Sequence, residues 1–140
     1  MSMNDVPEDY RQDFLQLRSG LTIYPSQDRA IDRLLAALVQ KVPARFALLA
    51  DVSGQVISAR GDRHSVLEPV ALGSLIAGDL AASHEIARLL GEYQSYQMIL
   101  REGLTAHTFI LEAGAYMVLL VQVSSEVPLG WARMVIREAA

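Results

Sequence analysis

Residues 46–59 read Phe46-Ala47-Leu48-Leu49-Ala50-Asp51-Val52-Ser53-Gly54-Gln55-Val56-Ile57-Ser58-Ala59. The β-prone runs 46–50 and 55–59 are joined by Asp51-Val52-Ser53-Gly54, whose Asp, Ser and Gly favour a turn, so the stretch is a β-hairpin. Upstream, Ile31, Leu34, Leu35, Leu38, Val39 and Val42 recur at i, i+3, i+4 and i+7. That spacing predicts an amphipathic helix over 26–42, which Ser26 can cap and Pro43 ends. Downstream, the Arg60-Gly61-Asp62 turn leads into an Ala- and Leu-rich helix running to about Leu90, where Gly91 suits a left-handed cap. Ser65 and Glu68 fit a capping box, while Pro69 favours the first helical position and sets the start near Glu68. Three β runs follow at 96–102, 104–112 and 116–123, separated by turns at Gly103 and Ala113-Gly114. A last helix over 125–138 carries Pro128 in its first turn. The element order is α-β-β-α-β-β-β-α, an α/β (α+β) fold.

Some of these elements also say what must cover them. Tyr116-Met117-Val118-Leu119-Leu120-Val121 is apolar at every position, the pattern of a strand with both sheet faces covered. Residues 94–100 carry no charge and no proline, so a strand there has nothing to blunt edge-to-edge pairing. In the middle helix Ser74, Gly78 and Ala82 fall at i, i+4 and i+8, a stripe of small residues that permits close backbone approach. A helix-interior glycine costs about 1 kcal/mol relative to alanine, which implies a packing reason. The stripe is expected to be buried, against its own sheet or against a second copy. Before the domain at 25–140 lies an extension, 1–24, in which Tyr10, Phe14 and Leu17 share one face of a short helix.

Composition removes several functions. The 140 residues suit one domain, and the absence of cysteine excludes thiol chemistry and agrees with a reducing, cytoplasmic setting. The N-terminal stretch lacks the basic start and apolar run of a secretory signal, and no apolar run reaches the ~20 residues that cross a bilayer as a helix. With a net charge of −4 and scattered cations, nucleic acid is not an expected partner. No glycine-rich phosphate loop is present, and His64, His84 and His107 show no metal-binding spacing, so neither cofactor nor metal is expected. Ser53, Ser65 and Ser83 sit in no nucleophile elbow, which leaves no expectation of an enzyme. Arg60-Gly61-Asp62 is read as a turn rather than an adhesion signal.

Three segments together resemble the Roadblock (dynein light-chain) family in its bacterial form: the hairpin Leu48-Leu49-Ala50-Asp51-Val52-Ser53-Gly54-Gln55-Val56-Ile57, the turn Arg101-Glu102-Gly103, and Leu129-Gly130-Trp131-Ala132-Arg133. The resemblance spans roughly residues 26–138. It implies a five-stranded antiparallel sheet in the order 2-1-5-4-3, with the middle helix on one face and the terminal helices on the other. It further implies an obligate homodimer whose third strands pair, and a Ras-like small GTPase as partner, bound by a scaffold or an activator of hydrolysis. On that basis Ser74, Gly78, Ala82, Tyr96, Met98 and Leu100 are expected at the dimer interface, and Asp79, His84, Glu85 and Arg88 on the GTPase-binding surface. Arg63 and Arg88 are exposed candidates for an arginine acting in trans, whereas Arg101 and Arg133 suit salt bridges or strand-end solvation. A cytoskeletal or signalling adaptor and a small ligand sensor are the alternatives. A sensor needs a pocket with convergent polar groups, for which the strand offers only Thr105 and His107.

Overall fold

In the computed structural model, which describes residues 15–16, 21–62, 68–91 and 98–140, the hairpin forms where its turn chemistry places it. Strands β3 (Ala44–Asp51) and β4 (Val56–Gly61) pair antiparallel. The Asp51 carboxylate, fully buried, accepts hydrogen bonds from Ser53 Oγ at 2.7 Å and the Gln55 N–H at 2.8 Å. Gly54, at φ 94°, then supplies the left-handed residue that closes the turn. Asp51→Ala removes an acceptor and leaves those donors without it, so it should cost about 2–3 kcal/mol, read as a lower urea midpoint at unchanged slope.

The full element order is β1 (Leu15–Gln16), β2 (Thr22–Ile23), α1 (Pro25–Lys41), β3, β4, α2 (Pro69–Leu89), β5 (Met98–Glu102), β6 (Ala106–Glu112), β7 (Met117–Ser124) and α3 (Leu129–Ala139). The large sheet runs β4-β3-β7-β6-β5, all antiparallel, which is the expected 2-1-5-4-3 once its strands are counted alone. Leu35 and Leu38 of α1, its C-cap Val42, and Ala132, Val135 and Ile136 of α3 pack with Ala47, Leu49, Phe109, Leu111 and Val121 on one face. Ile76 and Leu80 of α2 pack with Phe46, Leu48, Ile110, Val118 and Leu120 on the other. Alternate side chains of every central strand are thus buried on opposite faces, which is why those strands read as unbroken apolar runs.

Several boundaries differ from the sequence expectation, each for a local reason. Pro25 occupies the first helical position, where its fixed φ and missing N–H suit it, so Tyr24 is the N-cap and Ser26 lies inside the first turn. The Tyr24 N–H donates to Gln27 Oε1 at 3.0 Å. Pro69 likewise opens α2 behind Glu68, and Gly91, at φ 75°, follows its end. Ser65 lies outside the described residues. Pro128 is the N-cap of α3 rather than a member of its first turn. Residues before it form a separate turn in which the Val127 N–H donates to the Ser124 carbonyl and the Glu126 N–H to Ser124 Oγ. β6 begins at Ala106 because the Gly103 turn takes up the residues before it, leaving Leu104 99% exposed. In the extension, Leu15–Gln16 is paired with Thr22–Ile23 instead of lying in a helix, while Tyr10, Phe14 and Leu17 lie outside the described residues. Three apolar positions are a weak basis for a helix whose first turn fixes several residues for one hydrogen bond. Among the described residues no helix is long and apolar enough to cross a membrane.

Candidate functional site

The middle helix is apolar on more than one side. Ile76, Leu80 and Ala87 face the sheet, yet Val70, Leu75, Ile86 and Leu89 are more than half exposed. A helix apolar all round is a buried helix, so one sheet supplies only half of its surroundings. Beside it the sheet is also incompletely covered. An open groove of about 1050 Å³ lies between Leu72, Leu75 and Ile76 of α2 and Thr108, Ile110 and Gln122 of the sheet. Arg101 of β5 reaches Asp79 of α2 at 2.6 Å at the groove's rim.

The small-residue stripe belongs to this exposed side. Ser74, Gly78 and Ala82 are all exposed in the single chain, so the expectation that the stripe is buried is not met by the chain's own sheet. A Cβ added at Gly78 would meet nothing within 4 Å. The glycine of α2 that permits close approach is Gly73, whose added Cβ would lie 2.6 Å from the Gly54 carbonyl oxygen. Sequence spacing missed it because its partner is fifteen or more residues away, in the hairpin turn. On β5, Met98 packs with the α1 and α3 layer and Ile99 with the α2 layer, while Leu100 is 41% exposed. By strand alternation Met98 and Leu100 share the face opposite α2, so the two sets of expected interface residues meet only through the sheet edge. Tyr96, with 94–95 and 97 of the proposed edge run, lies outside the described residues.

The four residues expected on a partner surface have in-chain partners. Asp79 pairs with Arg101, and His84 Nε2 lies 2.6 Å from Glu112 Oε1 of β6. Arg88 donates from Nε to Glu85 Oε2 at 3.0 Å and from Nη2 to Glu85 Oε1 at 2.5 Å. This fork lowers the Glu85 carboxyl below its ordinary value and raises the Arg88 guanidinium. Because the depressed carboxyl stays charged to lower pH in the fold, any contribution to stability is present above its unfolded pKa and lost as pH falls through the folded one. With both side chains more than half exposed, the pair is expected to show in a titration rather than in stability. The Glu85 carboxyl carbon should titrate by NMR at a lower midpoint than a free glutamate, and Arg88→Ala should return it to the ordinary value.

The polar side chains of the groove are Thr108 and Gln122 on the sheet, Ser74 and Glu68, and the Asp79–Arg101 pair at its rim; the two polar residues expected of a ligand sensor are not among them. Thr105 is exposed ahead of β6, and His107 lies on the face of Phe109 and Leu111, away from α2, its Nδ1 accepting from the Gly103 N–H at 3.3 Å. Among the described residues no cluster of three or more His, Cys, Asp or Glu could hold a metal ion. Arg63 and His64 lie outside the described residues.

No family model matches the chain, and no curated protein does. Solved structures do. Myxococcus xanthus MglB is 28% identical at a TM-score of 0.77, over 85% of this chain and 88% of that one. The gliding protein MglB of Thermus thermophilus is 26% identical at 0.73, over 84% and 87%. A Roadblock/LC7 domain from Streptomyces avermitilis, 23% identical at 0.68 over 77% and 89%, shares the fold. The sheet order, the division of the helices between its faces and this likeness over most of the chain show that its fold is the Roadblock/LC7 fold.

Proposed function

We propose that the chain is a homodimeric scaffold or regulator for a Ras-like small GTPase, working through contact surfaces rather than chemistry of its own. The observation that carries the reading is the second apolar side of α2, with Leu75, Ile86 and Leu89 exposed above a half-covered sheet. An exposed apolar patch of this kind, rimmed by polar residues, marks an interaction site. A second copy fits it because the helix stripe is self-complementary and β5 offers an open edge on the same side of the fold. The likeness to MglB supports self-association, since one MglB structure has a tetrameric arrangement. The Ras-like partner follows from the family resemblance of the hairpin, the Arg101-Glu102-Gly103 turn and the Trp131 segment. Arg88 is already engaged by Glu85, and Arg101 by Asp79, so neither is a ready arginine for transition-state charge.

The test is to mix the chain with a Ras-like GTPase of its own organism, loaded with GDP or with a non-hydrolysable GTP analogue. Complex formation is followed by sedimentation velocity, and hydrolysis by phosphate release in a parallel sample loaded with GTP itself. Binding that prefers the GTP form supports the reading, with faster hydrolysis marking an activator and an unchanged rate a scaffold. Absence of binding in both nucleotide states refutes it.

A further inference from the structure

The layer formed by α1 and α3 carries a charge that the rest of the chain does not share. Five of the chain's twelve Lys and Arg but three of its sixteen Asp and Glu lie on these two helices, so the layer is positive in a chain of net charge −4. Of those three acids Asp32 faces Arg60, which leaves Asp28 and Glu138 against Arg29, Arg33, Lys41, Arg133 and Arg137. All five cations are exposed, and among the described residues none has a carboxylate within 4 Å. Their spacing works against folding: Arg29 and Arg33, and Arg133 and Arg137, are i, i+4 pairs, and like charges so placed weaken a helix. Anions from outside the chain would relieve both pairs.

The same layer is apolar among its cations. Leu34 and Met134 are more than half exposed, and Trp131 is 40% exposed. Leu35 and Leu38 of α1 and Ala132, Val135 and Ile136 of α3 hold the helices on the sheet, so the opposite sides of both point away from it. The hollows of the layer are separate: one of about 300 Å³ beside Leu34, between α1 and the end of α3, and one of about 370 Å³ along Gly130, Arg133 and Arg137. A peptide laid across the layer would need one continuous groove. A bilayer surface needs none, and it spreads phosphates in a plane above apolar chains. Guanidinium groups take phosphate oxygens through paired hydrogen bonds, and Trp and Leu among basic residues is the composition of a face that lies on a membrane.

We infer that the α1–α3 layer is a peripheral docking surface for an anionic phospholipid membrane, with the arginines on lipid phosphates and Leu34, Met134 and Trp131 at the level of the headgroups. The α2 groove, on the other face of the sheet, then points away from the membrane and stays open. In the dimer proposed above, antiparallel pairing of β5 edges keeps like faces of the two sheets on one side, so two such layers share a plane and bind as a bivalent unit. That doubling rests on the dimer; the charge and apolar content of the layer do not.

Co-sedimentation of the full chain with sucrose-loaded vesicles tests the inference. The chain should partition onto vesicles of phosphatidylcholine and phosphatidylglycerol in equal parts but not onto phosphatidylcholine alone, and raised salt should release it. Trp131, the chain's one tryptophan, should shift its emission to the blue on the anionic vesicles. Arg33→Gln together with Arg137→Gln should lower the partition about 25-fold, at roughly fivefold per cation, without lowering the urea midpoint, since each change also removes a like-charge pair. No partition onto anionic vesicles overturns the inference, as does partition that the double variant leaves unchanged. If the wild type ignores the vesicles and the double variant loses a GTPase that the wild type binds, the inference falls in favour of an acidic protein surface as the occupant. The vesicle assay contains no GTPase, so its failure leaves the proposed function standing.

Discussion

Gly73→Ala is expected to lower stability by about 2–3 kcal/mol, whereas Gly78→Ala, five residues along the same helix, is expected to raise the stability of the isolated fold by up to about 1 kcal/mol. The difference lies in what each new methyl group meets. At Gly73 it would stand 2.6 Å from the Gly54 carbonyl oxygen and 2.9 Å from Val56 Cγ2. The first obstacle is backbone of a turn fixed by Asp51, so it does not swing aside as a flexible side chain would. Gly54→Ala meets the same constraint from below, with its Cβ 2.6 Å from Ser74 Cα and φ at 94°, so strain and overlap add. At Gly78 nothing lies within 4 Å, and alanine simply removes the conformational entropy that glycine costs a helix. Thermal midpoints should therefore move in opposite directions, by roughly 3–4 °C per kcal/mol in a chain of this size. If the stripe is the dimer seam, Gly78→Ala should at the same time weaken self-association, so the monomer becomes more stable and the dimer less so. A wild-type midpoint for Gly73→Ala would mean that helix and turn do not approach as closely as the structure has them.

That contrast also shows where sequence reading stopped. The hairpin and α2 were legible because their determinants are local: Asp51 and Gly54 form a turn between near neighbours, and Pro69 and Gly91 mark the limits of α2, whereas the order of the sheet followed only from the family resemblance. The two buried faces were legible because β7 is apolar at successive positions from Val118 to Val121. Gly73 was not legible, since its neighbour arrives from the hairpin through tertiary packing and leaves no periodic trace. The stripe at Ser74, Gly78 and Ala82 did leave a trace, but its spacing could not say on which side of the helix the sheet would lie. The in-chain pairing of Asp79 with Arg101 and of His84 with Glu112 was hidden for the same reason, because each joins α2 to a strand far along the chain.

Leu75→Asp is expected to convert the chain to a monomer while leaving the fold intact. Leu75 is 70% exposed in the single chain and lines the α2 groove, so its replacement removes little from the core and should change unfolding free energy by no more than about 0.5 kcal/mol. In a dimer sealed along α2 the same carboxylate is buried against an apolar partner surface with no cation to meet it, a loss of at least about 3 kcal/mol, or roughly 100-fold in the association constant. Sedimentation equilibrium across a range of concentrations reads the shift directly, and urea denaturation checks that the monomer is still folded. Leu100→Lys probes the other half of the seam. Leu100 projects from the edge strand on the face away from α2, and edge pairing uses backbone groups that the substitution retains, so a smaller loss of about tenfold is expected. The order of the two effects separates the contributions. A larger loss from Leu100→Lys would place the seam on the strand edge with the helices apart, and an unchanged mass for both variants would leave the exposed side of α2 to a partner of a different kind. Because Leu75 stands on the helix that also presents Glu85 and Arg88, the folded monomer further tests how the proposed GTPase partner would be read. Retained binding by the Leu75→Asp monomer would assign the contact to one copy, whereas loss of binding in proportion to dimer loss would make the paired helices the recognition surface.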